Sequence, residues 1–587
     1  MFRGIGAGPI GIHWFAAWFG TGSIGRRRTA RAVTLSACLV TALPVIYDLV
    51  TDPRRRPFGY LAADTFYYLT VARNIVERGS VSSDGEHAIN GFHPLWQLVV
   101  TGIYAMAKLI RAIDLVPLLT VLVSLACVVG AVGLFGASFL RATRRVPAAF
   151  VAFPFGVYAL LVLPHWQIRH QDLASQSGEG PAPLFGTLYS FVNGMESGVL
   201  LLSFGLAAYA FVTRGASRRT LDGVLCGGAF CLVALSRLDH AVLGIAPLSL
   251  WAAHSLYAPA RRRFVLGAVL AFAAPLALYA IVNRVYAGSA VPLSGVIKSS
   301  FPIPSIGNLT ELESYLKHPF RPQHVFQVMW TAPVAISIGA VLAFLPFVVR
   351  LRVGATAFSL GFRPCAHSLD RFLVMVAPGV VLLAAYNILF VTGVGSWYYP
   401  VSTAYVSLTV LSVATRGFTL LPRRLRAVVP VQITAAAFAA LSVLGFLRFH
   451  RQPDFHRMYA DFCQKTAPRV RAHFGGKVPK LFEIDDGVVG YCLDTPAMSG
   501  SRLLLDAEAL RASDANMLFH LAVGRGFGAV STLFYTSHDL TSTSDAGTVM
   551  AWVRRFHPAQ DYTGLRASVL FADPSFTIVG LEKAGPE

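Results

Sequence analysis

The sequence predicts an all-α polytopic membrane domain of about 11–13 transmembrane helices, followed by a C-terminal α/β domain. Three observations predict it. Only 14% of the 587 residues are charged and 55% are hydrophobic, whereas soluble globular chains carry about 25% charged residues. The apolar residues gather in runs long enough to cross a bilayer, which takes roughly 20 residues each; 32–50, 191–212, 264–282, 328–349 and 427–447 are examples. After residue 449 the composition turns polar and stays so. Several runs of spanning length exclude a soluble fold.

Taken in order, twelve apolar segments stand at 32–50, 95–113, 115–140, 146–163, 191–213, 220–235, 240–257, 264–286, 327–349, 372–391, 399–415 and 428–447. The first is too long for the apolar core of a signal peptide and lacks a clear cleavage site, so it reads as a retained span. Charge gives the orientation. Residues 450–587 hold 14 Lys+Arg against 15 Asp+Glu, and residues 1–449 hold 36 against 15. The membrane part therefore carries all of the net charge of +20. Much of it sits in short clusters between apolar segments, such as Arg26-Arg27-Arg28, Arg141/Arg144/Arg145, Arg261-Arg262-Arg263 and Arg423/Arg424/Arg426. Short basic loops mark the cytoplasmic side, so the charge reports topology and argues against a nucleic-acid partner. The loops at 164–190, 287–326 and 392–398 and the whole tail then fall on the extracytoplasmic face. Three segments lie between Arg28 and Arg141, both expected inside, and a chain that starts inside and ends outside needs an odd total, so 11 or 13 spans are expected in place of twelve. One segment near 95–140 is then re-entrant or split. No internal repeat is apparent. The domains read as 1–449, with a first outer loop at 51–94, and 450–587.

The first outer loop is the most informative stretch. Arg54-Arg55-Arg56 runs against the charge rule, but the later pairing of segments favours the outer side. Residues 64–78 read as an amphipathic helix at about 100° per residue. Tyr68, Leu69, Ala72, Ile75 and Val76 share one arc; Thr70, Arg73, Asn74, Glu77 and Arg78 share the other. A helix too short to span, with this pattern, lies along the membrane interface. Gly79 ends it, and Asp64 stands at the edge of the apolar arc.

In the tail, 478–484, 568–571 and 576–580 read as short strands, and 501–512 and 515–523 as helices. The seven cysteines show no metal-ligand spacing. Most lie in apolar runs, Cys365 lies in a loop, and Cys463 and Cys492 lie in the tail. An extracytoplasmic tail would allow these two to pair, but sequence does not show whether they meet.

Several short motifs follow one another along the chain: Asp64-Thr65-Phe66-Tyr67-Tyr68-Leu69, Ala72-Arg73-Asn74, Asp84-Gly85, and Asn90-Gly91-Phe92-His93-Pro94-Leu95-Trp96. Then come Asn193-Gly194-Met195-Glu196-Ser197, Arg237-Leu238-Asp239, Pro292-Leu293-Ser294-Gly295-Val296-Ile297-Lys298, Trp397-Tyr398-Tyr399-Pro400, and Asp486-Gly487-Val488-Val489-Gly490-Tyr491. Together they resemble the bacterial GT-C membrane glycosyltransferases, which use polyprenyl-phosphate sugars. The resemblance implies a protein of the bacterial inner membrane. It would transfer a sugar, with inversion, to an extracytoplasmic glycan, lipid or protein acceptor.

Such a reaction joins a lipid donor to a polar acceptor. It needs a carboxylate to take a proton from the acceptor hydroxyl and cations to hold the leaving phosphate. The resemblance implies Asp64 as that base. Thr65 stands where the family often has a second acid, so nothing supports a divalent metal and the cofactor stays unassigned. Tyr67, Tyr68, Asn90, His93, Glu196, Arg237, Asp239, Lys298, Trp397 and Tyr398 are implied to contact substrate, with Lys298, Arg237 and His93 facing the phosphate.

Plainer readings stand beside these. Asp64 could complement a helix dipole, Glu196 could cap a helix, and Arg237 and Asp239 could pair only with each other. His93 could be a turn residue, Lys298 a solvated loop lysine, and Trp397-Tyr398-Tyr399 an aromatic belt. For the whole chain, a lipid-linked-saccharide flippase is the alternative, although such transporters often show repeated halves. A noncatalytic assembly protein is a third.

Overall fold

The computed structural model describes residues 23–54, 56–142, 188–318, 334–335, 337–339, 349–354, 357–362, 368–391, 398–420, 457–484, 487–500, 504–533, 540–574 and 576–585. The apolar segments expected at 146–163 and 428–447, and most of 327–349, lie outside them. So do Cys365, Trp397, Asp485 and Asp486.

The remaining apolar segments are helices: α1 (Ser23–Thr51), α3 (Pro94–Leu109), α4 (Val116–Ala142), α5 (Ser197–Arg214), α6 (Thr220–Ser236), α7 (Val242–Tyr257), α8 (Arg262–Ala287), α11 (Ser368–Phe390) and α12 (Pro400–Leu420). The connecting segments form α2 (Thr65–Arg78), α9 (Leu293–Lys298) and α10 (Ile306–Lys317). Among the described residues four helices are long and apolar enough to cross a bilayer: Ile113–Ala142, Ser197–Arg214, Pro259–Ala287 and Ser368–Phe390. In lipid, close side-chain packing holds helices together, and aromatic residues supply much of it here. Phe372 of α11 is fully buried against Phe204 and Phe211 of α5 and Phe230 of α6, with ring centroids 5.5, 5.5 and 6.5 Å away. Outward, α8 exposes Leu266, Leu270, Leu278, Ile281 and Val285, a run of apolar surface that suits lipid and not water. A hairpin of β1 (Val349–Gly354) and β2 (Ala357–Phe362), which the sequence did not single out, follows the α10 region.

The tail is a small α/β unit. A helical segment runs through Arg457–Asp461, a π-turn at Phe462–Thr466, and Ala467–His473. Strands β3 (Leu481–Glu483), β4 (Ala497–Ser499), β5 (Ala529–Thr532), β6 (Leu565–Asp573) and β7 (Phe576–Lys583) form one sheet in the order β4-β3-β5-β7-β6. The first three are parallel; β7 runs antiparallel to β5 and to β6. Helices α13 (Val488–Leu493), α14 (Ala507–Asp514), α15 (Leu518–Gly524) and α16 (Ala546–Arg554) connect them. The strands expected near 478–484, 568–571 and 576–580 are present, the last two as longer elements. Cys463 and Cys492 form a disulfide, which ties the π-turn to α13.

One expectation needs correction. The polar arc of α2 faces solvent only at its end: Thr70, Arg73 and Asn74 are buried, whereas Glu77 and Arg78 are exposed. Asn74 donates to the carbonyls of Ser82 and Ser83 (2.9 and 3.2 Å). Arg73 pairs with Asp494 of the tail at 2.7 Å. The polar face is covered because the loop and tail supply hydrogen-bond partners, which a lone amphipathic pattern cannot reveal.

Candidate active site

The turn that carries Asp64 is built by residues far away in sequence. The Asn193 carbonyl accepts from the Ala62 amide (2.9 Å) and from the Thr65 hydroxyl (2.8 Å), one on each side of Asp64. Gly194, at φ 78°, lies so close that a Cβ there would stand 2.5 Å from Thr65 Cγ2; only glycine combines that backbone with that space. The Gly194 carbonyl in turn accepts from the Trp96 indole at 2.7 Å. The Asn-Gly-Met-Glu motif is thus a cradle for the start of α2. Thr65, where a second acid was looked for, spends its hydroxyl on this cradle.

Asp64 occupies the N-cap position of α2, yet its side chain makes no capping hydrogen bond. No capping bond fixes where the carboxylate points. It lines a cavity of about 740 Å³ instead, with Lys298 Nζ 4.0 Å from Oδ2. Burial pushes the Asp64 carboxyl up; Lys298 opposes this and Glu196 adds to it, and the net direction is upward.

Behind Asp64 lies a buried polar network. Glu196 accepts from Arg237 Nη1 (2.8 Å) and the Tyr68 hydroxyl (3.2 Å), and lies 3.6 Å from His93 Nε2. Arg237 Nε also donates to both oxygens of Asp239 at 3.1 Å, and its guanidinium stacks 3.5 Å from the centre of the Tyr398 ring. His240 Nδ1 is 2.7 Å from Asp239. The Arg237–Asp239 pair expected as the plain reading does form, and it lines the cavity as well. Arg237 carries two carboxylates, so its removal would leave Glu196 with Tyr68 and His93 and Asp239 with His240, without a cation of fixed charge. Burial lowers the affinity of His93 for a proton; a neutral imidazole can hydrogen-bond a phosphate but adds no charge to it.

The cavity brings together Asp64, Tyr67, Tyr68, His93, Glu196, Arg237, Asp239, Lys298 and Tyr398. Asn90 is buried outside this lining. It accepts from the Leu293 amide (3.1 Å) and donates to the carbonyls of Ser289 (3.2 Å) and Val291 (3.0 Å), which fixes the loop leading to Lys298. Trp397 lies outside the described residues. The apolar walls were not legible in the sequence. Leu382, Tyr386 and Phe390 of α11 and Phe301 form one of them, and Leu504 reaches in from the tail. In the sequence the α11 residues look like any other lipid-facing residues of a span, and nothing marks Leu504.

No protein-family model and no curated protein matches the chain. Two solved structures are similar to it over nearly the whole length. One is ArnT from Cupriavidus metallidurans bound to undecaprenyl phosphate, at 14% identity and a TM-score of 0.44, covering 96% of this chain and 100% of that one. The other is ArnT from the same organism in the apo state, at 14% identity and a TM-score of 0.41, covering 95% and 98%.

Proposed function

We propose that the chain is a GT-C type membrane glycosyltransferase that moves a sugar from a polyprenyl-phosphate donor to an extracytoplasmic acceptor. One observation carries this reading: a single cavity joins a partly buried carboxylate and a lysine 4.0 Å apart to a wall of apolar side chains. That combination suits a substrate with a charged head and a hydrocarbon tail. Asp64 takes the proton of the acceptor hydroxyl as its oxygen attacks the anomeric carbon. The bond from that carbon to the phosphate oxygen breaks, and the polyprenyl phosphate leaves with the electron pair. Attack from the face opposite the phosphate inverts the anomeric centre. Lys298 stabilises the leaving phosphate. Arg237, already engaged by Glu196 and Asp239, orders the pocket behind it. An upward-shifted carboxyl is a better base than an ordinary one, and burial provides that shift.

The extracytoplasmic side is supported by the basic loops and by the Cys463–Cys492 disulfide, since disulfides persist in oxidising compartments. The test is Asp64→Asn in nanodiscs, assayed with polyprenyl-phosphate sugars. A positioned base contributes about 10²–10⁴-fold. Transfer should fall at least about a hundredfold while donor binding persists. Transfer within a few-fold of the unmodified protein would remove Asp64 as the base.

A further inference from the structure

The tail packs on α2 at several points, and at Gly487 the approach is closest to the backbone. Gly487 has φ 85°, and a Cβ on it would stand 2.9 Å from the Tyr67 backbone nitrogen and 3.1 Å from the Phe66 carbonyl carbon. Backbone therefore presses on backbone within the first turn of α2. Any side chain at 487 would wedge the two apart, and its left-handed backbone would itself be strained.

The segment after Gly487 is held from several directions. Glu483, buried in β3, accepts from the amides of Val489 (2.7 Å) and Gly490 (3.1 Å). Burying a carboxylate is costly unless its hydrogen bonds are made, and here both oxygens serve to fix one turn. Arg73 of α2 donates to the Tyr491 carbonyl (3.3 Å) and to Asp494 (2.7 Å). The Phe66 ring packs against Tyr491, with centroids 5.6 Å apart. Tyr67 meets Ser499 through their hydroxyls at 2.8 Å.

We propose that the Gly487–Tyr491 turn is a positioning clamp that sets the aim of Asp64 through the backbone of α2. The proposal rests on the reading of Asp64 as the base. Because the Asp64 side chain makes no capping bond, its aim follows from where the first turn of α2 is held. Asn193 and Gly194 hold that turn from the membrane domain, and Gly487 holds it from the tail. No residue of the clamp needs to touch substrate. This gives the Gly487–Tyr491 part of the Asp-Gly-Val-Val-Gly-Tyr motif, so far without a role, a physical task.

The experiment uses the full chain in nanodiscs and compares Gly487→Ala and Glu483→Gln with Val549→Ala. The last truncates a buried side chain of α16 in the tail core and controls for general loosening of the tail. Three quantities are measured: sugar transfer, donor binding, and hydrogen exchange across 65–70. The clamp variants should lower kcat roughly ten- to hundredfold, the scale on which small misplacements act. Donor affinity should stay within about twofold and exchange in 65–70 should speed up. The control should leave kcat and that exchange unchanged. Unchanged exchange in 65–70 in both clamp variants would overturn the proposal, and so would an equal loss of kcat in the control. If Asp64→Asn proves active, the reading of the base fails, yet the exchange data still decide whether the clamp exists.

Discussion

At the scale of single residues, the site is a contest between burial and charge at Asp64. Burial raises its pKa, Glu196 raises it further, and Lys298 works the other way. The base must be ionised, so activity is lost as pH falls through the raised pKa. Lys298→Ala removes the opposing charge, the pKa rises further, and the acid limb of the pH–rate profile moves to higher pH. The same substitution should weaken donor binding roughly ten- to hundredfold, because a charge-assisted hydrogen bond supplies about 1.5–3 kcal/mol. Kinetics from pH 5 to 9 with one donor checks both effects; an unmoved limb with unchanged KM would separate Lys298 from the site. The motif resemblance singled out Asp64, Lys298 and the Arg237–Asp239 pair, and one cavity brings them together. The partners of Glu196 were not legible: Tyr68 lies 128 residues away and Arg237 lies 41 away, and no local pattern encodes such distances.

At the scale of elements, the sequence showed the helices well because their apolar residues are contiguous. It misjudged the surroundings of α2. Amphipathicity shows which arc is polar, not whether water or protein will cover it, and here Asp494, Ser82 and Ser83 take the place of water. Asn90 illustrates the same limit. Expected as a substrate contact, it lies outside the cavity lining and hydrogen-bonds the 289–293 loop. Asn90→Ala would remove its hydrogen bonds to the Leu293 amide and to the Ser289 and Val291 carbonyls, of which Val291 keeps the Ser289 hydroxyl, at a cost of about 1–3 kcal/mol. The loop preceding Lys298 should then loosen: faster hydrogen exchange across 289–298 and a higher donor KM are expected, with exchange in α5 and α6 unaffected. A raised KM with no change in exchange would return Asn90 to the role of substrate contact.

At the scale of the whole molecule, charge and the disulfide both point to a tail outside the cytoplasm. Lys477 is exposed in the tail loop after His473, so Lys477→Cys should react with a membrane-impermeant maleimide in intact cells; labelling only after lysis would reverse the topology and with it the acceptor side. The cavity walls come from both ends of the chain, and that sets a schedule for synthesis. Tyr67 and Ser499, which meet beside the cavity, are 432 residues apart. At about 5–20 residues per second, roughly 20–90 s separate their emergence from the ribosome. For that interval the nascent chain already carries Asp64 but lacks the tail residue Leu504, which lines the same cavity. Under the proposed reading, a half-made protein cannot spend donor lipid, and activity begins only after the segment carrying Ser499 and Leu504 has been made.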